Sequence, residues 1–128
     1  MDIVTIKKLN ILIQLAEADK HFATSERDMI YQIARERKFP EETVTELIRN
    51  PQPIGTLGAL SQDQKLDYLM AAISLIFVDQ KVFESEVIFT RNIAIKLGFK
   101  KNVVDYLVEN FENTSLEELK ETVFSEFR

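Results

Sequence analysis

An all-α domain of about seven helices is predicted for this chain from three observations. Apolar residues recur at three- and four-residue spacing along most of its length, helix-capping signatures stand ahead of several of these stripes, and one residue pattern returns at a fixed offset of 60 positions. No segment predicts a convincing strand. The composition agrees: 128 residues, 45% apolar and 29% charged with three Gly and three Pro, describe one ordinary helical domain with a single core.

Taken in order, residues 2–20 carry Ile6, Leu9, Ile13 and Ala16 on one stripe, widened by Leu12 and Leu15, which predicts a core-facing helix. Thr24-Ser25 offer N-cap hydroxyls for a second helix over about 25–38, with Glu26 and Asp28 in its first turn and Arg35, Arg37 and Lys38 at its end. Pro40 suits the first turn of a third helix, which should stop near Asn50-Pro51. Residues 51–60 hold two prolines and two glycines and read as a linker. Ser61 and Gln64 form a capping box for a helix reaching Asp79, apolar nearly all round from Leu69 to Val78 and so predicted at the centre of the fold. Helices over about 85–97, stopped by Gly98, and about 101–112 follow. Ser115 and Glu118 then open a C-terminal helix, 115–127, striped with Leu116, Leu119, Val123 and Phe127.

The offset of 60 matches Leu9 with Leu69, Ile13 with Ile73, Asp19 with Asp79, Glu26 with Glu86, Ala34 with Ala94, Phe39 with Phe99 and Leu47 with Leu107. Matches without a gap predict an internal duplication of a three-helix unit, residues 1–50 and 61–112. Each unit alone leaves an apolar face uncovered, so the two are expected to pack on a shared core as one domain spanning 1–128.

Asp19-Lys20-His21-Phe22 with Glu26, and Asp79-Gln80-Lys81-Val82 with Glu86, resemble the acid turn and following glutamate of TerB-like proteins associated with tellurite resistance. The resemblance runs from about Leu9 to Leu107 and implies an all-helical fold and a stress-response setting. One departure stands out, because the glycine that commonly follows the acid is Lys20 in the first copy and Gln80 in the second. Gly relieves a left-handed turn, so its replacement weakens any ion site inferred from the family.

Two readings of the repeated acids remain open. An aspartate at a helix end meets the negative end of the dipole, so Asp19 and Asp79 need compensation, and the free N–H groups at the start of the next helix can supply it. In this clamp reading Phe22 and Val82 plug into the core. Alternatively Asp19 with Glu26, and Asp79 with Glu86 or Glu84, supply oxygens to a weak divalent-cation site, and the chain is then a cation-responsive sensor working through its duplicated acidic loops. The clamp is favoured, since the alternating positions an EF-hand loop would use hold His21, Ala23, Lys81 and Phe83.

Other chemistry is disfavoured. The chain has no cysteine and one histidine, which rules out thiolate zinc sites and multi-histidine sites. A net charge of −5 with no basic stripe argues against nucleic acid as a partner. The longest apolar run is about half of the ~20 residues a membrane span requires, so direct insertion is not expected. The opening MDIVTIKK lacks the layout of a secretory signal, making a cytoplasmic location the default. Adjacent carboxylates such as Glu41-Glu42 and Glu117-Glu118 point to different helix faces, and Gly55 and Gly58 precede no phosphate-loop lysine. No catalytic or cofactor-binding residue is therefore predicted. The expected role is a non-enzymatic interaction module with a protein partner, which could be a second copy of itself. Its candidate surfaces are the acid loops, the linker residues Ile54, Leu57 and Leu60, and the C-terminal stripe, although so narrow a stripe normally seals its own core.

Overall fold

The computed structural model describes residues 2–18, 22–78 and 81–128. Among them are seven helices: α1 (Ile3–Ala16), α2 (Thr24–Glu36), α3 (Glu41–Arg49), α4 (Gln62–Phe77), α5 (Glu84–Lys96), α6 (Val103–Asn110) and α7 (Leu116–Glu126). None of the described helices is long and apolar enough to cross a membrane.

The helix ends follow from local chemistry. Asp2 caps α1, its Oδ1 accepting the Val4 N–H at 3.0 Å and its Oδ2 the Thr5 hydroxyl at 2.6 Å. The Thr5 hydroxyl, ahead of the backbone donors, holds the Asp2 carboxyl below its ordinary pKa. Ser61 and Gln64 form the full reciprocal box, with bonds of 3.1 and 2.9 Å, and the Ser115 hydroxyl accepts the Glu118 N–H at 3.2 Å. Helix α1 stops at Ala16 rather than running to residue 20, because the Ala18 N–H turns back to the Leu15 carbonyl at 3.1 Å and tightens the last turn. Likewise α4 ends at Phe77, with the Val78 N–H on the Leu75 carbonyl. Pro40 stands one place earlier than expected, as the N-cap of α3 in extended backbone.

Helices α2 and α5 are displaced from one another by 60 positions at both ends, and they finish alike. The Phe39 N–H reaches the Ala34 carbonyl at 2.8 Å and the Lys38 N–H the Arg35 carbonyl at 3.0 Å, and the Phe99 and Gly98 N–H groups reach the Ala94 and Ile95 carbonyls, both at 3.0 Å, so each helix ends in the paired bonds of a Schellman cap. Both caps require a left-handed residue, which is Lys38 (φ 57°) in one and Gly98 (φ 90°) in the other. Both phenylalanines then turn into the core.

Helices α1 and α4 pack together, α1 also against α2, α3 and α5, and α4 also against α5 and α6. Leu9 and Ile13 of α1 and Leu69 and Ile73 of α4 are fully buried in the core. Each such side chain contributes about 1.5–3 kcal/mol relative to exposure. Polar contacts fix the pairing: the Tyr68 hydroxyl donates to the Val4 carbonyl, and Lys8 pairs with Asp67 at 2.8 Å. Helix α7 packs on α6, burying Leu119 and Val123, while the Lys100 N–H holds the Phe127 carbonyl at 2.7 Å.

The segment read as a linker is strapped down. Asn10, itself buried, donates through Nδ2 to the Gln52 carbonyl at 2.8 Å and accepts the Gln52 N–H through Oδ1 at 3.0 Å. Gln14 and Lys7 add bonds to the Gln52 and Thr56 carbonyls, and Leu57 is buried at the far end. A side chain amide that satisfies both backbone groups of one residue acts as a short strand edge would, so the strap needs no regular structure of its own.

Candidate functional site

The two turns that carried the predicted acids are described in part. Asp19 and Asp79 lie outside the described residues, as do Lys20, His21 and Gln80. Glu26 and Glu86 are described, and both are 1% exposed. Each occupies the third position of its helix and reaches back to the N-cap: Glu26 Oε1 accepts the Ala23 N–H at 3.1 Å, and Glu86 Oε1 accepts the Phe83 N–H at 3.2 Å. The predicted Thr24 and Ser25 hydroxyls do not cap α2; its N-cap is Ala23, one residue earlier, with no side-chain oxygen. Among the described residues the glutamate supplies the side-chain oxygen at this N-cap. A buried carboxylate at a helix N-terminus gains both from the backbone donor and from the positive end of the dipole.

What these carboxylates do chemically is fix the angle at which the chain enters α2 and α5. Among the described residues no group of three or more His, Asp or Glu is placed to hold a metal ion. The apolar plugs divide. Phe22 packs half-buried against the core with the Arg27 guanidinium 4.7 Å above its ring, whereas Val82 is 44% exposed and does not plug in. A valine is too short to reach the interior from a place where phenylalanine reaches it, which corrects the expectation for the second loop.

Two of the candidate surfaces are used internally. Leu57 of the strap and Leu119 and Val123 of α7 are buried, and of the terminal stripe only Leu116 is strongly exposed. Strap and α1 form a partly open pocket of about 100 Å³ lined by Ile6, Asn10, Ile11, Ile54 and Leu57. That is well below the roughly 300 Å³ at which pockets for cofactor-sized ligands begin.

A different surface stands out on α5. Ile88 and Ile95, seven residues apart and therefore on one helix face, are 48% and 53% exposed. Their counterparts on α2 are Asp28 and Arg35, also exposed. Around this difference the two hairpins are bridged at equivalent positions. Tyr31 of α2 meets Thr45 of α3 at 2.8 Å, and the equivalent Arg91 of α5 meets Asp105 of α6 at 2.6 Å. The repeat in the sequence could have exposed this face, since comparing the two copies position by position reveals charge on one side and isoleucine on the other.

No family model, curated protein or solved structure matches the chain. The resemblance to TerB-like proteins accordingly rests on the two acid turns and the glutamates Glu26 and Glu86 that follow them.

Proposed function

We propose that the chain is a non-enzymatic protein-interaction module of TerB-like type, working in the cytoplasm as part of a stress response. The observation that carries the interaction role is the pair Ile88 and Ile95, about half exposed on one face of α5. Large apolar residues two turns apart on one exposed helix face favour contact with another protein, because covering them removes apolar area from water. The two buried glutamates support the same reading from the other direction: engaged with the N-caps of α2 and α5, they serve rigidity. The stress setting follows from the acid-turn resemblance alone.

The test is a photo-crosslinking residue at Asn92, between the two isoleucines, with the equivalent Gln32 of α2 as control. A protein adduct at 92 that is absent at 32, and lost when Ile88→Asp and Ile95→Arg are added, is expected. Equal labelling at both positions, or none at 92, would refute the module.

A further inference from the structure

We infer that the α5 face docks a second copy of this chain, with the two α5 helices antiparallel about a two-fold axis. This rests on the interaction reading above and names its partner.

The choice of occupant comes from how charge is laid out along the α5–α6 hairpin. At its turn end stand Lys96 and Lys101, both exposed; at its open end stand Glu84, the first residue of α5, and Glu109, near the end of α6, also exposed. Midway, Arg91 and Asp105 neutralise one another. Ile88 lies toward the acidic end and Ile95 toward the basic end. A two-fold axis through the middle of such a surface reverses one copy against the other. Ile88 then meets Ile95 of the second copy, and the acids of each copy meet the lysines of its mate. A two-fold interface must be complementary to itself, and an acid-to-base gradient along one hairpin meets that condition.

The first hairpin supplies the contrast. There Arg35 pairs with Glu41 across the α2–α3 turn at 3.4 Å. At the equivalent places the second hairpin has Ile95 and Lys101, so an internal ion pair is replaced by an exposed apolar residue and a cation with no ion-pair partner among the described residues. Both members of the replaced pair are thereby left for contact outside the chain.

Sedimentation equilibrium on the purified full chain decides the matter. The average mass should rise from one chain toward two between about 1 µM and about 1 mM, the interval of weak to moderate complexes. Ile88→Asp with Ile95→Arg, which install the residues α2 already carries, should hold the mass at one chain with an unchanged helical spectrum. Should that variant unfold, exposed charges give a second route. Glu84→Lys with Glu109→Lys should weaken dimerisation at least about tenfold, and adding Lys96→Glu with Lys101→Glu should restore it. A wild-type chain that stays monomeric up to about 1 mM, a dimer untouched by the isoleucine variants, or a fourfold charge exchange that fails to restore pairing would each overturn the inference. If the chain is monomeric while Asn92 still labels a different protein, the second copy is wrong and the interaction module stands.

Discussion

Lys38 occupies in the first hairpin the left-handed position that Gly98 occupies in the second, with φ of 57° and 90°. A side chain at such an angle crowds its own backbone, at a cost of about 1–2 kcal/mol, while glycine takes the conformation freely.

Lys38→Gly is therefore expected to stabilise the chain by about 0.5–1 kcal/mol, after allowance for the greater freedom glycine gives the unfolded state. Gly98→Ala should destabilise it by about 1 kcal/mol, and purely through the backbone, since a Cβ there would meet nothing within 4 Å. Thermal melts check both, with shifts of about 2–4 °C in opposite directions. A Lys38→Gly chain that melts lower would mean the lysine side chain contributes more than its strain removes.

The buried glutamates give the second prediction. Gln64 already does at the start of α4, through Oε1, what Glu26 and Glu86 do at α2 and α5. Glu26→Gln and Glu86→Gln should thus keep the cap and lose little, whereas Glu→Ala at either position should cost about 1–3 kcal/mol by leaving a partly buried N–H without its acceptor. Urea unfolding measures the difference. Melting with and without millimolar calcium on the same variants separates the clamp from a cation site. The clamp gives no calcium-dependent shift in the wild type, and a cation site gives one that Glu→Gln removes.

Tyr68 supplies a pH dependence. Burial first, then the negative charges of Asp2 and Asp67, push its phenol up to about 12 from an ordinary 10. The folded state holds this proton more tightly than the unfolded state does. Its contribution is thus fully present below pH 10 and is lost as pH rises through about 12. Wild type should lose about 2 kcal/mol more than Tyr68→Phe across that interval, read from urea midpoints at pH 9 and above. At neutral pH the same substitution should cost about 1–2 kcal/mol, because the partly buried Val4 carbonyl loses a donor. Parallel pH profiles for the two chains would refute the assignment.

Much of the architecture was legible in advance because it is written in local terms. The stripe Leu9, Ile13, Ala16 and its counterpart Leu69, Ile73 identified the buried faces of α1 and α4, and Ser61 with Gln64 marked where α4 begins. The helix ends were read a few residues too long at Ala16 and Phe77, since the closing turn tightens without any breaker residue to announce it. The cap of α2 was misplaced for a related reason: hydroxyls at Thr24 and Ser25 are the usual signal, but a glutamate at the third helical position can satisfy the N-cap amide with no hydroxyl present.

By itself the sequence determined the seven helices found among the described residues, their order and which side chains share a face, because a period of 3.6 and the chemistry of helix ends act over neighbouring positions. Tertiary structure alone decided that residues 51–60 bind back onto Asn10, that Val82 stays outside where Phe22 packs in, and that Ile88 and Ile95 look outward. The physical reason is that periodicity tells which side chains share a face. What lies against that face depends on elements distant in the chain, and only their packing assigns it to the core or to solvent.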